Sequence, residues 1–150
     1  LKEVRGHLGD IKPSPDGKSL LIQEAFDGID SLWIGKLKSK SIVPAVPNFL
    51  SGSYVVWNTR WLSSSEVVYT VENIGQPAFI KSFDLKTKKT TVWTKPRLPE
   101  VLTGTVRPPE KIRWRSSDSK EISGYIVKPA KIEKKSPVLV FIHGGPQVVD

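Results

Sequence analysis

The sequence predicts a mostly β protein, with β-propeller blades followed by the first strands of an α/β sheet. Three observations predict it: a four-strand pattern written twice 48 residues apart, a proline-rich stretch after the second copy, and an apolar run, Val138 to Ile142, that stops at His143-Gly144-Gly145-Pro146. The expected organisation is two blades of an incomplete propeller in residues 1–94, a linker in 95–110, and the first strands of a truncated second domain in 111–150.

In the first copy, residues 9–22 read as a short strand, a Pro15-Asp16-Gly17 turn and a second, apolar strand. A loop is expected from Ala25 to Asp30, a strand from Ser31 to Leu37, and a turn over Lys38 to Lys40. Ser41 to Val46 follows as a strand interrupted by Pro44, which suits an edge because proline cannot donate to a ladder. The second copy runs Thr59 to Leu62, a turn at Ser63 to Glu66, Val67 to Val71, a loop at Asn73 to Pro77, Phe79 to Leu85, a turn at Lys86 to Lys89, and Thr90 to Trp93. At an offset of 48, with no gap, Leu20 meets Val68, Glu24 meets Glu72, Leu32 meets Ile80, Leu37 meets Leu85, Lys38 meets Lys86 and Lys40 meets Lys88. A repeat of this length built from four short strands is the pattern of a propeller, whose blades bury their faces only against neighbouring blades.

Residues 94–110 contain four prolines and no sustained period, as expected of an extended linker. Strands are expected at Lys111 to Ser116 and Glu121 to Pro129, around a polar turn at Ser117 to Lys120. After a charged loop comes Val138 to Ile142, an unbroken β-branched, leucine and aromatic run that reads as a strand covered on both faces. His143-Gly144-Gly145-Pro146 ends it, because two glycines let backbone approach a ligand closely and proline stops further pairing.

These residues resemble the His-Gly-Gly-Pro turn of the prolyl oligopeptidase family of serine peptidases, and are related to the glycine-rich oxyanion loop of lipases and esterases. Ser14-Pro-Asp-Gly-Lys18, Leu32-Trp33, Asp27-Gly28 and Phe83-Asp84-Leu85 are similar to that family's blades, and the order linker, paired strands, His-Gly-Gly-Pro is similar to its passage from propeller to hydrolase. The resemblance implies that residues 111–150 open an α/β-hydrolase domain, with the acylaminoacyl-peptidase branch as the nearer likeness. It implies that the backbone N–H groups of Gly144 and Gly145 face a developing oxyanion, a contact worth about 2.7–4 kcal/mol, and that His143 orients rather than acting as the triad base. The second copy departs from the pattern where Ser63 to Ser65 replace Pro-Asp-Gly, and Ser119 stands where glycine is usual.

Acyl transfer by a serine peptidase needs a nucleophile, a base, an orienting carboxylate and oxyanion donors. The sequence has no Gly-x-Ser-x-Gly, so the nucleophile is not in this chain, and the resemblance places the whole triad downstream of His143. The chain therefore reads as part of a longer serine peptidase that hydrolyses short or acylated peptides through an acyl-enzyme, and by itself is expected to be inactive. The rival reading is a non-catalytic propeller module that binds protein.

Composition bounds the rest. There is no cysteine, which excludes disulfides and thiolate metal sites, and His7 and His143 are the sole imidazoles. Gly17-Lys18-Ser19 imitates a phosphate loop but lacks its first glycine, and Glu24, Asp27 and Asp30 match no calcium-loop spacing. No cofactor or metal is implied. Lysine and arginine number 23 against 15 acidic residues, a net +8, but the lysines fall mostly in turns, which argues against nucleic acid. No apolar run is long enough for a transmembrane helix. The expected partners are a peptide substrate and the remainder of the same polypeptide, with no membrane. Oligomerisation and compartment stay open, a cytoplasmic location being favoured.

Overall fold

The computed structural model describes residues 6–38, 41–50, 54–73, 75–100, 104–105, 107–131 and 135–142. The chain divides into two compact units, Leu1–Asn73 with Ala78–Pro96, and Ile74–Pro77 with Arg97–Asp150. The sheets among the described residues are antiparallel, and none of these residues is α-helical.

Apart from Gln76 and Pro77 at the start of one strand, the first unit holds two four-stranded meanders. One comprises β1 (His7–Pro13), β2 (Ser19–Phe26), β3 (Ile29–Lys38) and β4 (Ser41–Val46), and the other β5 (Val55–Ser63), β6 (Glu66–Asn73), β7 (Gln76–Asp84) and β8 (Thr90–Val92), each in sequential order. This is the strand order of two propeller blades, and the expected edge strand with Pro44 is indeed outermost.

Turn chemistry sets the registers. Pro15-Asp16 enters the first turn, Gly17 closes it at φ 68°, and Ser14 Oγ accepts from Ser19 N at 3.0 Å while donating to Asp16 Oδ1 at 2.6 Å. The predicted loop from Ala25 to Asp30 is shorter than expected: Phe26 pairs with Ile29 across Asp27-Gly28, both with positive φ (57° and 80°), the two-residue turn that matches strand twist. In β5 the register shifts between Trp57 and Arg60, where Asn58 sits at φ 52°. That bulge lets both Val56 and Thr59 point inward, and it extends the strand four residues before the predicted Thr59.

The meanders pack face to face. Leu21, Leu32, Ile34 and Val46 from the first join Val56, Val67, Tyr69, Val71, Phe79 and Phe83 from the second in one core, with Phe49 stacked on Phe83 at a centroid distance of 4.4 Å. Inward residues of β2 and β6, such as Leu21 and Tyr69, are 48 apart. Those of β3 and β7 are 49 apart: Leu32 and Ile34 correspond to Lys81 and Phe83. The ungapped repeat is corrected accordingly. Its Leu32–Ile80 equivalence joins a fully buried residue to one 38% exposed, because a one-residue slip moves every side chain of a strand to the other face. The extra residue lies between Val71 and Phe79.

In the second unit, β9 (Glu110–Arg115) and β10 (Glu121–Ile126) form a hairpin in which Glu121 pairs with Arg115 and Ile126 with Glu110. The buried strand expected over Val138–Ile142 is not formed. Those five side chains are 75–92% exposed and lie outside any ladder. An apolar strand needs neighbours on its edges and faces, and among the described residues this unit offers only a two-stranded hairpin.

Candidate functional site

The hairpin leading toward the proposed oxyanion turn is built on a Ser-x-Asp turn. Ser116 Oγ donates to Asp118 Oδ1, Ser119 N to Ser116 O at 2.9 Å, and Ser119 occupies the left-handed region at φ 66°. Glycine would take that conformation without a Cβ penalty, which is why Ser119 departs from the pattern at a cost. Alternation then separates two faces. Ile112, Trp114, Ile122 and Ile126 share one, with Trp114 lying over Gly124 so closely that a Cβ there would meet its ring at 3.2 Å. Lys111, Arg113, Arg115, Glu121 and Tyr125 share the other, where Arg113 pairs with Glu121 and Lys111 Nζ lies 5.8 Å from the Tyr125 ring centre. Lys128 Nζ reaches Glu110 Oε2 at 2.5 Å, and Arg107 donates to Ala130 O at 2.7 Å, tying both ends of the segment.

His143, Gly144 and Gly145 lie outside the described residues. Their approach, Val138 to Ile142, presents its apolar side chains to solvent.

The other sequence candidates are dispersed. Glu24 Oε1 accepts from Gly6 N at 2.9 Å, Asp27 forms a turn, and Asp30 turns into the interface between the meanders. No group of three metal-binding side chains occurs among the described residues. Gly17-Lys18-Ser19 runs from a β-turn into β2. No helix among the described residues is long and apolar enough to cross a membrane.

Carboxylates in the turns are committed to local bonds. The Ser14 hydroxyl and Lys18 N–H hold Asp16 below the ordinary carboxylate value, the N–H groups of Thr87 and Lys86 do so for Asp84, and Ser116 and Lys120 for Asp118. Burial acts oppositely elsewhere, pushing Tyr69 up to about 12 and raising Asp30 despite its two hydrogen bonds. Asp30 Oδ2 accepts from Val56 N at 2.7 Å and Gln23 Nε2 at 3.1 Å, and its own N–H donates to Tyr54 O at 2.9 Å. Lys12 Nζ crosses likewise to Thr59 O at 2.7 Å, and Trp61 Nε1 returns to Lys12 O at 2.9 Å. Sequence reasoning missed this polar seam. The available signal was phase: Asp30 precedes Leu32 and Ile34 on the inward face of β3.

No protein-family model and no curated protein matches the chain. Among solved structures, it is similar to a prolyl endopeptidase over 84% of its length, with a TM-score of 0.65 and 18% identity. It is similar over the same share to prolyl oligopeptidase B from Galerina marginata, with TM-scores of 0.59 for the apo protein at 13% identity and 0.61 for a form bound to a 35mer substrate at 15% identity. The chain spans only 17–18% of those proteins. At such identities the likeness is one of fold alone.

Proposed function

We propose that this chain is a segment of a prolyl-oligopeptidase-type serine peptidase, carrying two propeller blades and the entry to an α/β-hydrolase domain. The observation that supports it most is the fold likeness over 84% of the chain to prolyl oligopeptidases, joined to a His143-Gly144-Gly145-Pro146 turn in the sequence. In this reading the N–H groups at Gly144 and Gly145 stabilise the oxyanion of a tetrahedral intermediate, and His143 orients the turn. Nucleophile, base and orienting carboxylate come from the remainder of the polypeptide, so the acyl-enzyme forms on a serine outside these 150 residues. The substrate class in this reading is short peptides or acylated peptides.

The test is labelling with a fluorophosphonate probe, which phosphonylates only an activated serine. The whole protein should label and the 150-residue chain should not. A whole protein that folds but does not label would give way to the rival, a non-catalytic propeller module acting by protein binding.

A further inference from the structure

The sequence scatters its lysines among turns, and the fold gathers those turns. Asp30, near the start of the first meander's strands, touches Val56 near the start of β5, and Lys12 near the end of β1 touches Thr59 and Trp61 toward the end of β5. The two meanders therefore run in the same sense. The turns β1–β2, β3–β4, β5–β6 and β7–β8 consequently lie along one edge of this unit. Lys18, Lys36, Lys38, Lys86, Lys88 and Lys89 stand on that edge, all exposed. None of the six forms a salt bridge to a described residue.

Asp16 and Asp84 lie near Lys18 and Lys86 without forming an ion pair with them, and one oxygen of each is engaged locally. Asp16 Oδ1 is taken by Ser14 Oγ and Lys18 N, and Asp84 Oδ1 by the N–H groups of Lys86 and Thr87 at 2.8 and 2.7 Å. Lys88 holds a left-handed conformation at φ 59°, where glycine or asparagine would be less strained.

We propose that this edge binds an extended acidic polypeptide segment. Lys36 and Lys38 alternate along β3 at the i, i+2 spacing that carboxylates have along one face of an extended chain. The turns contain no aromatic side chain on which a base could stack and no arginine to grip phosphate in a fork, so the chemistry favours a peptide over nucleic acid. Binding is electrostatic and screened by salt.

The experiment is fluorescence anisotropy of a labelled (Glu-Ala)8 peptide with the 150-residue chain, at about 50 mM and about 200 mM salt. The combined variant Lys36→Glu/Lys38→Glu/Lys86→Glu/Lys88→Glu should weaken binding about tenfold or more, whereas Lys95→Glu/Arg97→Glu/Lys131→Glu/Lys135→Glu, with the same change of charge, should stay within about twofold. Circular dichroism and the thermal transition check that each variant folds. The corresponding lysine-to-glutamine set replaces the first if it does not. Equal weakening by both sets overturns the proposal in favour of net charge alone. Absence of binding overturns it, and so does a single-stranded oligonucleotide that binds more tightly than the peptide and is lost in the same variant.

Discussion

Asp30 is where the seam between the meanders is most sensitive. Its side chain is buried at 7% exposure, and one oxygen, Oδ2, accepts both from Val56 N and from Gln23 Nε2. Asp30→Ala strands the Val56 N–H, which is fixed in β5, while Gln23 keeps its second acceptor, Val56 O, at 3.0 Å. An unpaired buried donor costs about 1–3 kcal/mol, and the space left adds to it, so the expected loss is about 2–3 kcal/mol. Asp30→Asn should cost less than about 1 kcal/mol, because a single amide oxygen can serve both donors. The two variants also separate charge from bonding. Burial raises the folded-state pKa of Asp30, so between its ordinary value near 3.8 and that raised value the folded protein binds more protons than the unfolded chain. Stability from this group is therefore present at low pH and falls as pH rises through the folded pKa. Wild type should gain on Asp30→Asn as pH is lowered from neutrality. Urea titrations followed by tryptophan fluorescence at several pH values measure this. Asp30→Asn as damaging as Asp30→Ala, or a wild-type advantage growing toward neutral pH, would refute the reasoning.

Three further outcomes are expected. Ser119→Gly should stabilise the β9–β10 hairpin by about 1 kcal/mol, since Ser119 holds φ 66° at the cost of a Cβ clash; tryptophan emission from Trp114 under urea reports it. Lys81 occupies the inward position equivalent to Leu32, with Nζ 4.5 Å from the Tyr54 ring centre and 5.0 Å from that of Phe79. Lys81→Met should change stability by less than about 1.5 kcal/mol and Lys81→Glu should lose about 3 kcal/mol or more, as calorimetric transitions will show, because the ring faces attract a cation and repel an anion. Val140→Lys with Phe141→Lys should raise the solubility of the 150-residue chain and lower its binding of an apolar dye, with an unchanged transition temperature, since both side chains are exposed.

Much of the meander architecture was legible because it is written locally. Pro15-Asp16-Gly17 demands the turn it forms, and the alternation of Val67, Tyr69 and Val71 puts one face of β6 inward, whereas the tight Asp27-Gly28 turn reads in the sequence as a longer loop. The phase of β7 was not legible. The offset of 48 matches Ile80 to Leu32, whereas the inward residue is Lys81, buried against two rings whose positions depend on the other strands. Asn58 likewise hid the first half of β5, since its bulge breaks the period-two pattern that signals a strand. Val138 to Ile142 shows the converse: composition specifies an affinity for the interior of a sheet, but pairing requires partner strands that the second unit does not supply among the described residues. The proposed site shares that dependence. Gly144 and Gly145 announce a backbone cradle by residue type, and the serine it would serve has no signature in this sequence.

The measurement that tests the peptidase reading most directly is the intact mass of the native polypeptide isolated from its source. A product several times heavier than the 16.7 kDa of this chain, with a fluorophosphonate-reactive serine beyond Asp150, is the predicted result. A native product of 16.7 kDa would contradict it and leave the peptidase likeness as one of fold alone.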